Sequence, residues 1–528
     1  MTLFPFRARA AGLLAIALLA GGCKDPSGTP PPIVEPPPAR PSLPQTYRAS
    51  GHTAAGDVFV HLFEWRWTDI AAECEAVLGP AGYEAVQVSP PQEHAVINGA
   101  PWWQRYQPVS YSIARSRSGT RAEFVDMVGR CRTVGVDIYV DAVINHMTAG
   151  AGTGSNGTVY TKYSYPGLYS QPDFHGACGV NDYSSPANVQ DCELVGLADL
   201  NTRLPEVRGK IAAYLLDLSR TGVAGFRIDA AKHMQPVDLD SILGRVNRAL
   251  AAEGRPLPYY FAEVIDYGNE GVSRNDYFGL AYASGGAADV TEFKFRGVGE
   301  KFLGTNGGRL AQLSPTGSPG NQFSVGAWGL MPADKAVVFL ENHDTQRDAA
   351  GIGYRSPAAY RLANVWMMAQ PYGYPSVMSS YAFALGSGRD TGPPSNAAGE
   401  TTVSCVASME AAQNGQWVCE HRDPTILRMV GFRRAVAGAD LSRWWDNGGN
   451  AIAFSRGDKG FVAISREAAA VSVATPTGLA AGTYCDLLTG GRVGGACAGT
   501  SVTVGAGGTV QFSLPSNTAV AIHTGTRL

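Results

Sequence analysis

Four short segments of this 528-residue sequence each end an apolar run in carboxylate, amide or basic side chains. They are Asp141-Ala-Val-Ile-Asn145-His146, Gly225-Phe-Arg227-Ile-Asp229 with Lys232-His233 close behind, Phe261-Ala-Glu263, and Phe339-Leu-Glu-Asn342-His343-Asp344. On a strand, side chains two positions apart share a face. Arg227 therefore shares one with Asp229, Asn342 with Asp344, and Asp141 with Asn145 for as long as the strand lasts. An arginine beside a carboxylate favours the ionised form, which suits a nucleophile. Any one segment alone reads as a strand-end ion pair or a helix cap. Four in succession argue for a shared site.

The elements that must position these residues follow from the surrounding pattern. Asp57–Phe63, Tyr83–Val88, Asp137–Ile144, Gly225–Asp229, Tyr259–Glu263, Ala288–Phe295, Ala336–Leu340 and Tyr374–Met378 read as strands. Thr68–Leu78 and Ala122–Val134 read as helices between them. Eight strands alternating with helices indicate a (β/α)₈ barrel, with polar residues at the C-terminal strand ends forming the site; a doubly wound open sheet is the competing topology. The stretch 146–200, rich in Gly, Ser and Tyr, is too long for an ordinary loop and reads as an inserted subdomain. From 439 the helical pattern gives way to short alternating runs, an all-β C-terminal domain. The expected division is therefore 51–145 with 201–438 as the barrel, 146–200 as the insert and 439–528 as the β domain.

Composition narrows the function classes. Lys and Arg total 42 against 45 Asp and Glu, a net charge of −3, so the basic footprint of a nucleic-acid binder is absent. Residues 1–23 place Arg7 and Arg9 before an apolar run and close on Leu19-Ala20-Gly21-Gly22-Cys23, the layout of a bacterial export signal. The apolar run is shorter than the ~20 residues a membrane span needs. Small residues before Cys23 resemble a lipoprotein processing site, with ordinary cleavage nearby as the alternative. Residues 24–50 form a proline-rich tether, nine of the nineteen residues from Pro26 to Pro44 being proline. Setting Cys23 aside leaves eight cysteines, which in an exported chain read as four disulfides. Spacing favours Cys178–Cys192, Cys405–Cys419 and Cys485–Cys497, each closing a loop worth ~3 kcal/mol, and leaves Cys74 for Cys131.

The four segments, in this order, resemble the conserved regions of the α-amylase family of glycoside hydrolases. FEWRW from Phe63, QVSPP from Gln87, PWWQRYQPVSY from Pro101, DAVINH, GFRIDAAKH, CEHR from Cys419 and WWDNGGN from Trp444 are similar to the animal-type members and their bacterial relatives. The resemblance implies that Asp229 is the nucleophile, Glu263 the general acid and base, and Asp344 the carboxylate that steadies the transition state. A retaining glycosidase needs one carboxylate to form a glycosyl-enzyme and a protonated one to release the leaving group. By the same resemblance His146, His343, Arg227, Lys232 and His233 lie along the bound sugar, and Trp102, Trp103, Tyr106 and Gln107 form a platform beneath it.

The resemblance also implies a structural calcium ion held by Asn145, Asp191 and Asp199 with the backbone carbonyls of Gln190 and His233. Arg227 and Asn342 match two members of the family's chloride site, but the third basic position is Ser376, so weak or absent chloride dependence is expected. The loop after Asp344, DTQRDAAGIGY, is poorer in glycine than its counterparts, which bears on its mobility. The activity expected is endo-hydrolysis of internal α-1,4 bonds in starch or glycogen by a monomer. The partner is an α-glucan; no nucleic acid is expected, and a membrane enters only through a lipid on Cys23. The chain would be exported from a bacterial cell, secreted or anchored at its surface. A maltooligosaccharide-forming exo enzyme, a transglycosylase, and a non-catalytic glucan-binding protein are the alternatives.

Overall fold

The computed structural model describes residues 58–278, 288–318, 320–396 and 401–528. The export signal, the tether and Cys23 lie outside these residues. Eight parallel strands close on themselves: β1 (Phe59–Leu62), β2 (Ala85–Val88), β3 (Asp137–Ala142), β4 (Gly225–Ile228), β5 (Tyr259–Ala262), β6 (Ala288–Thr291), β7 (Ala336–Val338) and β8 (Tyr374–Ser379). Each pairs with the next, and β8 returns to β1 through Phe59 opposite Ser376. Closure settles the topology in favour of the barrel over the open sheet.

The strands are short because their residues change character midway. At the N-terminal end Phe59, Ala85, Tyr139, Tyr259, Phe261, Val337 and Tyr374 form one buried apolar cluster inside the barrel. Two residues further on, the same faces carry His61, Gln87, Asp141 and Glu263, all buried. The aromatic floor excludes water from below, and the polar tier opens toward the C-terminal face. Gly225 begins β4 because a Cβ there would come within 2.7 Å of the Tyr139 ring and 2.9 Å of the Tyr259 carbonyl.

Most strands fall within the segments expected from sequence and stop short of their ends. Ala288–Phe295 overreaches most. After Thr291 the Glu292 side chain accepts a hydrogen bond from the Lys294 N–H, turning the chain into a 3₁₀ helix over Phe293–Gly297. Helix Arg121–Thr133 starts at a reciprocal cap: the Glu123 N–H donates to the Thr120 hydroxyl, and the Thr120 N–H to the Glu123 carboxylate.

Between β3 and β4 the chain makes a two-stranded hairpin, Gly152–Thr153 with Val159–Tyr160, and a short helix, Pro186–Asp191. The C-terminal domain is two four-stranded antiparallel sheets. One contains Leu441–Asp446, Ala451–Arg456, Gly460–Ser465 and Thr518–His523; the other contains Val471–Pro476, Gly482–Cys485, Ser501–Val504 and Thr509–Leu514. Strands Ala451–Arg456 and Gly460–Ser465 are buried on both faces. Ile452, Phe454, Val462 and Ile464 join the barrel's main core, while Ala453, Phe461 and Ala463 pack toward the second sheet. Disulfides join Cys74 to Cys131, Cys178 to Cys192, Cys405 to Cys419 and Cys485 to Cys497. Among the described residues no helix is long and apolar enough to cross a membrane.

Candidate active site

Parallel register places Asp141 of β3 directly opposite Arg227 of β4. Arg227 Nη1 donates to Asp141 Oδ1 at 2.6 Å and to Asp229 Oδ1 at 2.9 Å, and its other terminal nitrogen is ion-paired with Glu263. The guanidinium is buried, so three carboxylates share one cation away from water. Tyr106 donates to the second oxygen of Asp141 at 2.8 Å. Past Asp229 the chain passes through Ala230 in the left-handed region, with φ 49°. That turn aims the Ala230 N–H at Glu263 Oε2, 3.0 Å away. Left-handed backbone at a non-glycine residue is strained, and such strain persists where surrounding contacts fix it.

Asp344 reaches the same place from the end of β7. Asn342 Oδ1 accepts from the N–H groups of Asp344 and Thr345, at 3.1 and 2.9 Å, and so shapes the turn that presents the carboxylate. His343 Nε2 lies 3.3 Å from Asp344 Oδ2. Burial raises the pKa of Glu263, Arg227 opposes the rise, and the charge of Asp344 adds to it. Asp229 is pushed well up by burial against the same opposing arginine. Asp141 rises to about 6 for the same first reason. Asp344 is raised as well, chiefly by desolvation within the cleft, although 40% of its side chain still meets solvent. One guanidinium is shared among these carboxylates, so ionisation of each disfavours ionisation of the next.

Burial favours the neutral form of His146 and His343. His146 falls to about 4 and His343 well below its ordinary value, in both cases first through burial. His146 Nε2 donates to the Tyr106 carbonyl at 3.0 Å. The His343 ring stacks on Tyr106 at 5.0 Å and on Phe63 at 5.1 Å, with Trp102 edge-on at 5.5 Å. Trp102, Trp103 and Gln107 are half-buried along one 3₁₀ turn and its end, and Gln107 Oε1 accepts from the Ala149 N–H. Lys232 donates to the Ile265 carbonyl at 2.8 Å, pairs with Glu270 and lies 4.7 Å from the Tyr183 ring centre. Burial lowers it to about 8. With Glu263, His233 and Tyr267 it lines a hollow of about 590 Å³.

Arg227, Asn342 and Ser376 line a small cavity of about 20 Å³ with His61 and Glu341. Asn145, Asp199 and Asp191 gather beside the insert. Asn145 Nδ2 donates to Asp199 Oδ1 at 3.4 Å, while Asn145 Oδ1 is buried without a partner. His175 Nδ1 donates to Asp199 Oδ2 at 2.6 Å, and its other nitrogen is 3.9 Å from Asp191 Oδ1. Asp191 also accepts from Arg203 at 2.6 Å. His233 Nδ1 donates to the Val189 carbonyl, one residue before Gln190, whose own side chain donates to the Tyr277 hydroxyl.

Sequence reasoning left Glu270, Tyr183, His175 and Arg347 without roles. Arg347 lies 4.3 Å from the Trp102 ring centre and 4.5 Å from that of Phe383, and donates to the His343 carbonyl. Its place in the NHDTQR run, on the turn behind Asp344, was the available signal.

Comparison with known proteins gives the same picture. Residues 86–248 match the model of the alpha amylase catalytic domain, and residues 444–525 that of the alpha amylase C-terminal all-beta domain. An alpha-amylase-related protein of Drosophila bakoue is 45% identical over 459 residues, covering 85% of this chain and 88% of its own. Its counterpart in Drosophila atripex is 43% identical over 486 residues, covering 89% and 94%. Among solved structures, a mutant of alpha-amylase I from Eisenia fetida in complex with maltohexaose superposes with a TM-score of 0.80 at 40% identity, covering 89% of this chain and 98% of that one.

The raised carboxylates carry a stability consequence. A folded-state pKa above the unfolded value costs nothing while the group is protonated in both states, and costs stability once pH exceeds the unfolded value. Glu263→Gln removes that cost, so its melting temperature at pH 7 should exceed that of the wild type, and the gain should vanish as pH falls to about 4. Thermal denaturation at the two pH values checks this.

Proposed function

The chain belongs to the α-amylase family of glycoside hydrolases, and from that premise we propose that it hydrolyses internal α-1,4-glucosidic bonds of starch or glycogen with retention. The observation that carries this reading is the convergence of Asp229 and Glu263 on one buried guanidinium beside Asp344. In this scheme Asp229 attacks the anomeric carbon as the carboxylate, the form that Arg227 favours against the opposing effect of burial. Glu263, raised by burial and by the charge of Asp344, carries the proton that the leaving oxygen takes. After glycosyl transfer Glu263 is the base that activates water. Asp344 faces solvent enough to meet sugar hydroxyls, and neutral His146 and His343 act as hydrogen-bonding groups free of charge. The earthworm enzyme that binds maltohexaose supports an α-glucan as ligand.

Reducing-sugar release from soluble starch tests the roles. Glu263→Gln and Asp229→Asn should each lose about 10²–10⁴-fold in rate or more. Equal rates in wild type and variants would remove the assignment. Over time the wild type should release a mixed ladder of oligosaccharides; a single early product would place it among the exo-acting members instead.

The residues beside the insert fit a hard cation. The unpartnered buried oxygen of Asn145 and the almost fully buried Asp199, raised to about 6 by burial, are oxygen ligands short of positive charge. Among the described residues no three His, Cys, Asp or Glu side chains cluster at ligand spacing. The set that the family resemblance implies is one amide, the carboxylates of Asp199 and Asp191, and the carbonyls of Gln190 and His233. Bound calcium would neutralise these oxygens and tie the insert to the barrel. An ion bound by the folded state alone stabilises it by mass action. Chelation should therefore lower the melting temperature, and re-adding calcium should restore it; an unchanged value after verified removal rejects the site.

Chloride fits less well. In the cavity between Arg227, Asn342 and Ser376, Ser376 is neutral, Glu341 is an acid, and Arg227 is already shared among carboxylates. Adding chloride to a chloride-free preparation should leave the rate unchanged, and a several-fold rise would show that the ion binds.

A further inference from the structure

The sequence contains five Asn-Gly steps, beginning at Asn98, Asn156, Asn306, Asn414 and Asn447. Such a step rearranges without a catalyst when its groups are free. The glycine backbone nitrogen attacks the side-chain carbonyl carbon of the asparagine, ammonia leaves, and a succinimide ring closes in the main chain. Water then opens the ring at either carbonyl, giving aspartate or isoaspartate. Glycine favours the closure because it has no Cβ to crowd the attack. All five asparagines are exposed, so access to water does not separate them. Hydrogen bonding does, because a held glycine N–H or a held side-chain amide must first be released.

Four of the steps are held. The Gly157 N–H donates to the Gly154 carbonyl at 2.9 Å, and the Gly415 N–H to the Ala382 carbonyl at 2.7 Å. The Gly448 N–H donates to Asp446 Oδ1 at 2.9 Å, and the preceding Asn447 amide donates to Glu467 Oε1 at 2.9 Å. Asn306 Nδ2 donates to Glu300 Oε1 at 3.1 Å. Asn98 and Gly99 differ. They form the corners of a turn closed by the Ala100 N–H donating to the Ile97 carbonyl at 2.9 Å, with Gly99 at φ 80°. Neither the Asn98 amide nor the Gly99 N–H has a hydrogen-bond partner among the described residues. A Cβ on Gly99 would meet nothing within 4 Å. Both reacting groups are therefore free.

The ends of this turn are fixed even though its corners are free. The Ile97 N–H donates to Gln104 Oε1 at 3.0 Å, and Arg117 donates to the Ala100 carbonyl at 2.8 Å. The segment Pro101-Trp102-Trp103 follows directly. An isoaspartyl link adds a main-chain carbon between the two anchors, and either product adds a carboxylate. We infer that Asn98 is a site of spontaneous deamidation in the folded protein, converting to aspartate and isoaspartate beside the Trp102–Trp103 segment while the other four steps are protected by their hydrogen bonds.

Incubating the folded protein in mildly alkaline buffer, then mapping its peptides by mass and by enzymatic methylation of isoaspartate, tests this. Asn98 should convert about tenfold faster than any of the other four, since each of those must first break a hydrogen bond. In urea, with the disulfides intact, the five rates should converge. Asn98→Gln should remove most of the isoaspartate that the folded chain forms. Conversion of another step as fast as Asn98 in the folded protein would overturn the inference. So would an intact Asn98 over a period in which the unfolded chain reacts. A lead for Asn98 that persists unchanged in urea would assign the difference to neighbouring sequence and reject the structural cause.

Discussion

A single buried guanidinium, that of Arg227, organises the top of the barrel. It meets Asp141, Asp229 and Glu263, and those residues come from three successive strands. Removing one member of a buried ion pair typically costs ~3–5 kcal/mol because the other charge is left stranded. Here the stranding would be worse, since one cation stands against several acids. The arginine therefore fixes the spacing of the carboxylates and also limits how many of them can be ionised together. Both properties are what two-carboxylate glycoside chemistry requires of its scaffold.

Backbone geometry makes that arrangement unavoidable once the strands pair. Asp141 and Arg227 are register partners across β3 and β4, and period two carries Asp229 to the same face. The left-handed turn at Ala230 then lends Glu263 a backbone donor. On the far side the turn after β7 is fixed from behind. Asn342 caps it, and Arg347, wedged between Trp102 and Phe383, holds the His343 carbonyl. The glycine-poor loop that follows is also tethered, through Asp348 to Arg296. The two sides of the cleft thus differ in kind: one is set by strand register and the other by packed side chains.

The sequence was readable where physics is local. Four of the eight barrel strands were apolar runs ending in polar residues, and the face shared by Arg227 and Asp229 followed from period two alone. What the sequence concealed was non-local. The bond between Asp141 and Arg227 joins residues 86 apart, and it exists only because the parallel register happens to align them. Lys232 could be suspected of contacting substrate, but nothing near it in sequence announced Glu270 and Tyr183, which meet it across the fold. Ala288–Phe295 looked like one strand because its apolar residues continue past Thr291. The cap at Glu292 that breaks it competes through hydrogen bonding, which hydrophobic patterning does not register.

The aromatic floor explains why the chemistry above it is confined to carboxylates. Phe59, Tyr139, Tyr259, Phe261 and Tyr374 close the barrel below the polar tier, so the groups above them lose water on that side. Burial is accordingly the first cause of the shifts of the cleft's acids and histidines. It lowers His61, His146 and His343, and the charge of Arg227 lowers His61 and His343 further. Neutral imidazoles leave arginines, Arg227, Arg347 and Arg389, as fixed cations acting on the acids. The same dryness that keeps histidines uncharged raises Glu263 and Asp229. A wetter floor would relax both effects together, so the acid behaviour of the cleft depends on the buried apolar residues beneath the polar tier.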